Sequence, residues 1–263
     1  MTHDDSSGRR GPERRRHDIA DHVLSAGSVT AADLAERFGV SLMTIHRDLD
    51  ELERQGIVRK YRGGVTAQPS GVFESNVAYR MKSMRTAKDA IAERAVALIE
   101  PGMAVMLDDS TTTLALARRL AGITPLTVIT NFREAINLLA SERDIRLMAL
   151  GGDYDPLHDS FLGVACVDAI GALNVDLCFV STSAVSGGFA YHQEQHIVSV
   201  KRAMLGAAAR NVLLIDHSKL NRVALHRVAP LSVFDRVIVD DGAGAEALRD
   251  LDEQKVTYEM ATT

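Results

Sequence analysis

The sequence predicts an α/β chain in two parts: a small helical N-terminal part closed by a basic strand pair, then a larger, mostly parallel sheet covered by helices. Three observations predict it. Short helical patterns with N-caps and glycine stops crowd the first 67 residues. From residue 86 onward, short apolar runs alternate with helical patterns, as parallel strands buried on both faces require. Nearly all of those runs end in small polar residues or glycines, one of them followed by a lysine. Composition agrees, since 46% hydrophobic and 25% charged residues suit a globular chain with a sizeable core. No apolar run reaches the ~18 residues of a membrane span.

Residues 1–13 read as a disordered tail from their Ser, Gly, Pro and Arg content, and "MTHDDSSGRRGPERRRH" has no apolar core of the signal-peptide kind. A first helix is expected from His17 to Ala26, with Ile19, Val23 and Leu24 on one face. Thr30 then caps a second, Ala31 to Phe38, burying Leu34, Ala35 and Phe38, and Gly39 ends it in a left-handed conformation. Ser41 caps a third helix, Leu42 to Gln55, whose Ile45, Leu49 and Leu52 form a core-facing stripe. Gly56 closes it. "IVRKYRGGV" follows as a strand and a Gly63-Gly64 turn.

A helix, a glycine turn and a capped helix can set the second of those helices in the DNA major groove. Opposite the stripe, helix three carries Met43, Thr44, His46, Arg47, Asp50 and Arg54. With Ser41, its first turns hold the groups placed to reach base edges, Arg47 suiting guanine or phosphate. Arg59, Lys60 and Arg62 on the wing suit phosphates. The net charge of −5 does not advertise a nucleic-acid partner. Its distribution does, because acid and base balance over residues 1–67 and the basic residues cluster at the two ends of that stretch. Residues 14–67 are therefore a candidate winged helix-turn-helix domain for double-stranded DNA.

"TAQPSGVFESN" is poor in apolar residues, and residues 68–85 are expected to be linker before a domain at 86–263. There a helix begins near Thr86, with Ile91, Ala95, Leu98 and Ile99 on one face. Strands are expected at Ala104–Leu107, Leu126–Thr130, Ile145–Leu150, Asp176–Ser181, Val212–Asp216 and Arg236–Asp240, then a final helix and an edge strand. Open parallel sheets bind ligands beyond the carboxyl ends of their strands. The residues there include Asp108, Ser110, Thr111, Thr112, Thr113, Thr130, Asn131, Gly151, Gly152, Ser183, Asp216 and Lys219. Hydroxyls at a strand-to-helix junction, with free backbone N–H groups and a helix dipole, suit phosphate or carboxylate. The stretch is not a P-loop, since GxxxxGK[ST] is absent and no Lys lies near in sequence. Of Asp108 and Asp109, at least one is expected to bond sugar hydroxyls or brace the loop.

The N-terminal part, from Val29 to Val65, resembles the DNA-binding region of the DeoR family of bacterial transcriptional regulators, in outline LAxxFxVSxxTIRRDLxxLxxxGxxxRxHGGA. His46 stands where that family has the first Arg of its pair, and Arg62 where it has His. The first departure implies a shifted operator preference. The C-terminal part resembles the family's effector domain: DxGTT matches Asp108, Ser110, Thr111 and Thr112 with Ser for Gly, TN matches Thr130-Asn131, and GG matches Gly151-Gly152. DxSK matches Asp216, Ser218 and Lys219, and VKRAM matches Val200 to Met204. The resemblance implies a repressor that senses a phosphorylated sugar or polyol, with a domain similar in fold to ribose-5-phosphate isomerase. Lys219 would meet the ligand's phosphate or ring oxygen.

An isomerase-like enzyme with a DNA-binding module is one alternative, and an effector-independent DNA binder with an oligomerisation domain is another. Catalysis is not expected. Those isomerases carry acid residues after a strand, in a D-G-A-D-E segment, where this chain reads Ser181-Thr182-Ser183-Ala184-Val185 with none, and an aldose–ketose shift needs a carboxylate base. No cofactor or metal is expected either. "HQEQH" places His192 and His196 four apart, a metal pair if both lie on one helix, but a third ligand is not evident. Cys166 and Cys178 lack CxxC spacing and read as buried free thiols in a cytoplasmic protein. Paired operator half-sites imply a homo-oligomer, dimer or tetramer. No membrane partner is expected.

Overall fold

The computed structural model describes residues 11–26, 28–54, 57–67 and 77–263. Two compact units divide the chain, residues 1–74 and 75–263. In the first, α1 (Pro12–Ala26), α2 (Ala31–Phe38) and α3 (Leu42–Arg54) pack with β1 (Ser28–Thr30), β2 (Val58–Tyr61) and β3 (Gly64–Ala67). The strands form an antiparallel sheet in the order β1-β3-β2.

Several expectations hold here. The Thr30 hydroxyl accepts from the Asp33 amide at 3.1 Å, Ser41 Oγ accepts from the Thr44 amide at 3.2 Å, and Gly39 ends α2 at φ 63°. Ile45, Leu49 and Leu52 are buried with Ile19, Val23 and Leu34. Other expectations are corrected. The first helix starts at Pro12 rather than His17, so residues 12 and 13 are not tail; proline suits a first helical position because its missing N–H would have no partner there. Ala35 and Phe38 are half-buried. The turn is Arg62-Gly63, because Gly64 pairs with Tyr61 and belongs to β3. A Cβ on Gly64 would lie 2.6 Å from Tyr61 Oη and 2.7 Å from the Val29 carbonyl oxygen, so only glycine lets the three strands close together. Gln55, Gly56, residues 1–10 and the side chain of Leu24 lie outside the described residues.

The second unit is built on a seven-stranded sheet. Its strands are β4 (Ala104–Leu107), β5 (Leu126–Thr130), β6 (Ile145–Ala149), β9 (Val175–Val180), β12 (Ala208–Ile215), β14 (Arg236–Asp240) and β15 (Tyr258–Ala261). The order is β15-β14-β12-β9-β4-β5-β6, and every pairing is parallel, not merely most of them. Alternate residues serve opposite faces. Val105, Leu107, Leu177, Phe179, Val212 and Leu214 share a core with α5 (Arg85–Val96), α6 (Thr111–Ala117) and α7 (Arg133–Leu139). Met106, Cys178, Val180, Leu213 and Ile215 pack on the other face against α8 (Gly163–Gly171), α9 (Gln195–Gly206) and α10 (Ala245–Glu253). The strands expected at 145–150, 176–181 and 212–216 thus end one residue earlier, and the last begins four earlier. Those terminal residues leave the ladder for the loops that cap it. Cys166 and Cys178 are buried and free, and burial pushes the Cys166 thiol up to about 11.

Of the linker expected at 68–85, residues 68–76 lie outside the described residues and the rest is corrected. Val77–Lys82 is helical (α4), and α5 already begins at Arg85. Val77 and Met81 pack against Leu114, Phe132 and Ala135, so two apolar residues in a polar stretch suffice to dock it. A hairpin of β7 (Asp153–Asp155) and β8 (Ser160–Leu162) follows β6. A small antiparallel sheet of β10 (Ala184–Ser186), β11 (Phe189–His192) and β13 (His226–Pro230) follows β9. No helix among the described residues is long and apolar enough to cross a membrane.

Candidate functional site

On the first unit, the buried stripe of α3 turns the opposite face outward. Ser41, Met43, His46 and Arg47 are exposed and Thr44 is half-exposed; Met43, at 70% exposure, is an apolar side chain held in water. Arg15 Nε pairs with buried Asp48 at 2.6 Å, tying α1 to the back of α3. On the wing, Arg59 and Arg62 are exposed. Lys60 is different: its ammonium pairs with Asp50 of α3, which raises its pKa, and its amide donates to Glu53 Oε1 at 2.8 Å. Lys60 therefore braces the wing against α3, a competing role that the sequence expectation did not contain.

In the second unit, five adjacent strands deliver the predicted residues to one edge of the sheet. In spatial order they are β6 with Gly151-Gly152, β5 with Thr130-Asn131, β4 with Asp108 to Thr113, β9 with Ser181 to Ser183, and β12 with Asp216 to Lys219. Strand order reverses between β4 and β9, the point where such sheets open a crevice.

Asp108 and Asp109 divide the work. Asp108 is buried and fully engaged: Oδ1 accepts from the Ser110 amide at 3.1 Å and the Thr113 hydroxyl at 3.0 Å, and Oδ2 from the Ser181 amide at 2.8 Å and the Lys201 ammonium. It braces the β4 and β9 loops together. Asp109 Oδ2 accepts from Ser160 Oγ at 3.0 Å, while Oδ1 lies 3.4 Å from Lys201 Nζ. Burial alone would raise the Asp109 pKa, but Lys201 first and Arg80 second hold it well below the usual carboxylate range. Burial works against the Lys201 charge too, but Asp108 and Asp109 keep it protonated with a raised pKa.

The hydroxyls after Asp109 are mostly internal. Ser110 caps α6 by accepting from the Thr113 amide at 3.1 Å, and Thr113 is wholly buried, its hydroxyl among oxygens of Asp108 and Ser110. Neither is an outward donor as expected. Thr111 Oγ1 donates to the Arg80 carbonyl at 3.2 Å, and Thr112 is buried. Asn131 Nδ2 donates to the Phe161 carbonyl at 2.9 Å, leaving its buried Oδ1 without a hydrogen-bond partner among the described residues. Thr130 Oγ1 accepts from the Phe132 amide at 3.1 Å. At Gly152, φ is 147° and a Cβ would collide with the Leu162 carbonyl oxygen, so the glycine serves the turn into β7. Ser183 is buried beside β11 and its amide donates to the Tyr191 carbonyl at 3.1 Å. Asp216 caps its own turn through the Ser218 amide at 3.1 Å, and Lys219 is half-exposed.

Sequence reasoning missed Lys201, Arg80 and Ser160. Lys201 sits inside the VKRAM match, and a lysine in an otherwise apolar helix stretch, Ile197-Val198-Ser199-Val200-Lys201, was the available signal. Arg80 Nη1 donates to the Asp109 carbonyl at 3.2 Å from α4, in the stretch expected to be linker. Ser160 carried no signal. The histidines also separate differently. His192 ends β11 and His196 lies in the first turn of α9, so they do not share a helix. Burial and then Lys201 depress the His192 pKa well below 6.5. His196 instead meets His158, Asp155 and Glu194.

Comparisons agree with both halves. Residues 15–70 match the DeoR-like helix-turn-helix domain, and residues 83–241 match the DeoR C terminal sensor domain. An uncharacterized HTH-type transcriptional regulator of Escherichia coli strain K12, YgbI, is 35% identical over 95% of this chain and 98% of its own. The glycerol-3-phosphate regulon repressor of the same strain is 28% identical over 94% and 98%. A solved ribose 5-phosphate isomerase A from Methanocaldococcus jannaschii is similar over 50% of this chain and 52% of its own, with 21% identity and a TM-score of 0.37.

Proposed function

The chain belongs to the DeoR family of transcriptional regulators, and from that premise we propose that it is a cytoplasmic, homo-oligomeric repressor of carbohydrate genes whose operator affinity changes when a phosphorylated sugar or polyol binds its second unit. Met43, Thr44, His46 and Arg47 read bases, while Arg59 and Arg62 hold phosphates. The ligand lies at the β4/β9 switch point. Lys219 meets its phosphate, and Asp109 and Asn131 Oδ1 meet its hydroxyls. Coupling follows if the ligand binds the two operator-affinity states unequally.

The observation that carries this reading over the enzyme alternative is the engagement of Asp108. Its two carboxylate oxygens face the Ser110 and Ser181 amides, the Lys201 ammonium and the Thr113 hydroxyl, so they are committed to bracing loops rather than turned toward a ligand's C–H bond. No carboxylate occurs at Ser181 to Ser183 to replace it. The test is an operator mobility shift titrated with a panel of sugar phosphates, on the wild type and Lys219→Ala. One compound that alters binding in the wild type and not in the variant supports the reading. Indifference to all compounds favours an effector-independent binder, and turnover of any compound favours the enzyme.

A further inference from the structure

Outside the switch-point cluster, four metal-ligating side chains from two separate segments meet. Asp155 ends β7, His158 lies in the β7–β8 turn, Glu194 precedes α9 and His196 is in its first turn. One donor atom from each falls within 4.8 Å of all the others. From these residues we infer that Asp155, His158, Glu194 and His196 bind one first-row divalent transition-metal ion of the Zn²⁺ class.

The separations fit ligands sharing an ion better than partners sharing a proton. His196 Nε2 is 3.4 Å from Asp155 Oδ2 and 3.2 Å from Glu194 Oε2. His158 Nδ1 is 3.4 Å from the same Asp155 oxygen, and its Nε2 is 3.3 Å from the same Glu194 oxygen. Charge-assisted hydrogen bonds are shorter, at about 2.7–2.9 Å. A tetrahedral ion with ligands at ~2.0–2.2 Å places its donors roughly 3.3–3.5 Å apart along each edge, which the two His196 separations and the separation at whichever one His158 nitrogen faces the ion approach. His158 is 1% exposed, yet neither ring nitrogen has a hydrogen-bond partner among the described residues. A buried imidazole is not ordinarily left so, because the loss costs on the order of 1–3 kcal/mol. A cation supplies a partner to one ring nitrogen, and the other keeps the carboxylate oxygen that lies beside it.

The donor set has the right chemistry. Two carboxylates and two neutral imidazoles offset a double positive charge, and mixed N/O ligation selects zinc and its neighbours over calcium or magnesium. Asp155 is already oriented: its Oδ1 accepts from the Leu157 amide at 2.8 Å and the His158 amide at 3.2 Å, which turns Oδ2 toward the two rings. His196, 48% exposed, leaves a side open for the ion to enter. The ion would clamp the β7–β8 turn to the start of α9. Ser160 follows His158 by two residues and Lys201 follows His196 on α9, so it would fix both flanks of the Asp109 contact.

The experiment uses the full chain, free of any histidine tag and stripped with EDTA. It is titrated calorimetrically with ZnCl₂, and separately with Co²⁺ followed by visible absorption. The expected result is one ion per chain, the intense spectrum of tetrahedral Co²⁺ and a raised Tm. His196→Ala and Glu194→Gln, at half-exposed positions that the core does not need, are each expected to weaken binding beyond the ~10–100-fold that loss of an outer-sphere partner gives. Absence of stoichiometric Zn²⁺, an unchanged Tm, or wild-type affinity in both variants would overturn the assignment. A weak octahedral Co²⁺ spectrum would overturn the four-ligand set.

Discussion

Replacing Lys201 with Met tests whether the switch-point cluster is held by one buried charge. The Lys201 side chain is 4% exposed, and it faces Asp108 at 1% and Asp109 at 6%. Lys201→Met fills much of the same volume but strips a buried carboxylate pair of its nearest ammonium, a loss of roughly 3–5 kcal/mol. The effect has a defined pH dependence. In the wild type the Asp109 pKa lies below its ordinary 3.8, so its stabilisation is complete above that pH and is lost only as pH falls through the lower folded value. Without Lys201, burial dominates and the folded Asp109 takes a proton more readily than the unfolded one. The variant's deficit should therefore be larger at pH 8 than at pH 5. Urea unfolding followed by circular dichroism at both pH values measures this, and Lys201→Met/Asp108→Asn should recover part of the loss. A deficit under ~1 kcal/mol, or one that does not shrink toward pH 5, would refute the account.

Arg47→Ala should weaken operator binding by about 1–3 kcal/mol and relax specificity, as measured by fluorescence anisotropy against base-substituted operators. Arg59→Ala should reduce the salt slope of binding by about one, and Lys60→Ala by less, because Asp50 already holds that ammonium. Equal slopes for the two variants would show that Lys60 leaves Asp50 when DNA binds. Gly64→Ala should lower the Tm of the N-terminal unit, since its methyl would overlap the Val29 carbonyl oxygen; a loss of about 1–3 kcal/mol is expected, and an unchanged transition contradicts it. The His217 pKa is raised by its 2.5 Å hydrogen bond to Asp240, so its stabilisation is present below about pH 6.5 and fades as pH rises through the higher folded value. Asp240→Asn should thus cost more at pH 6 than at pH 9 and lower the His217 midpoint in NMR titration.

Periodicity and capping made the DNA-reading face legible, because a helix is a local object. Thr30, Gly39 and Ser41 act within a few residues of themselves. Strand centres were legible for the same reason: Val-Ile-Leu runs bury wherever the chain goes. The glycine turn was misplaced by one residue because only the pairing of Tyr61 with Gly64 settles which residues lie outside the ladder. Helix α4 was missed because two apolar side chains in a polar stretch look like linker until Phe132 supplies a surface. The candidate site was half legible. Strand-end residues announce themselves, but the partners that neutralise them do not: Lys201 is 93 positions from Asp108 and Ser160 is 51 from Asp109.

Those separations bear on how the molecule assembles. The first strand of the second unit, β4, lies inside its sheet, with β5 on one side and β9 on the other. Its β5 neighbour follows closely in sequence, whereas β9 comes only after the β7–β8 hairpin and α8 have been made. During synthesis, β4 through β6 can form one flank while Asp108 and Asp109 wait for the helix that carries their counter-charge. Closure must therefore be late and non-local, a kind of contact that slows folding. The β1–β3 pairing and the Arg15–Asp48 ion pair of the N-terminal unit close within its own residues, so it does not wait for that late helix and can fold as it emerges.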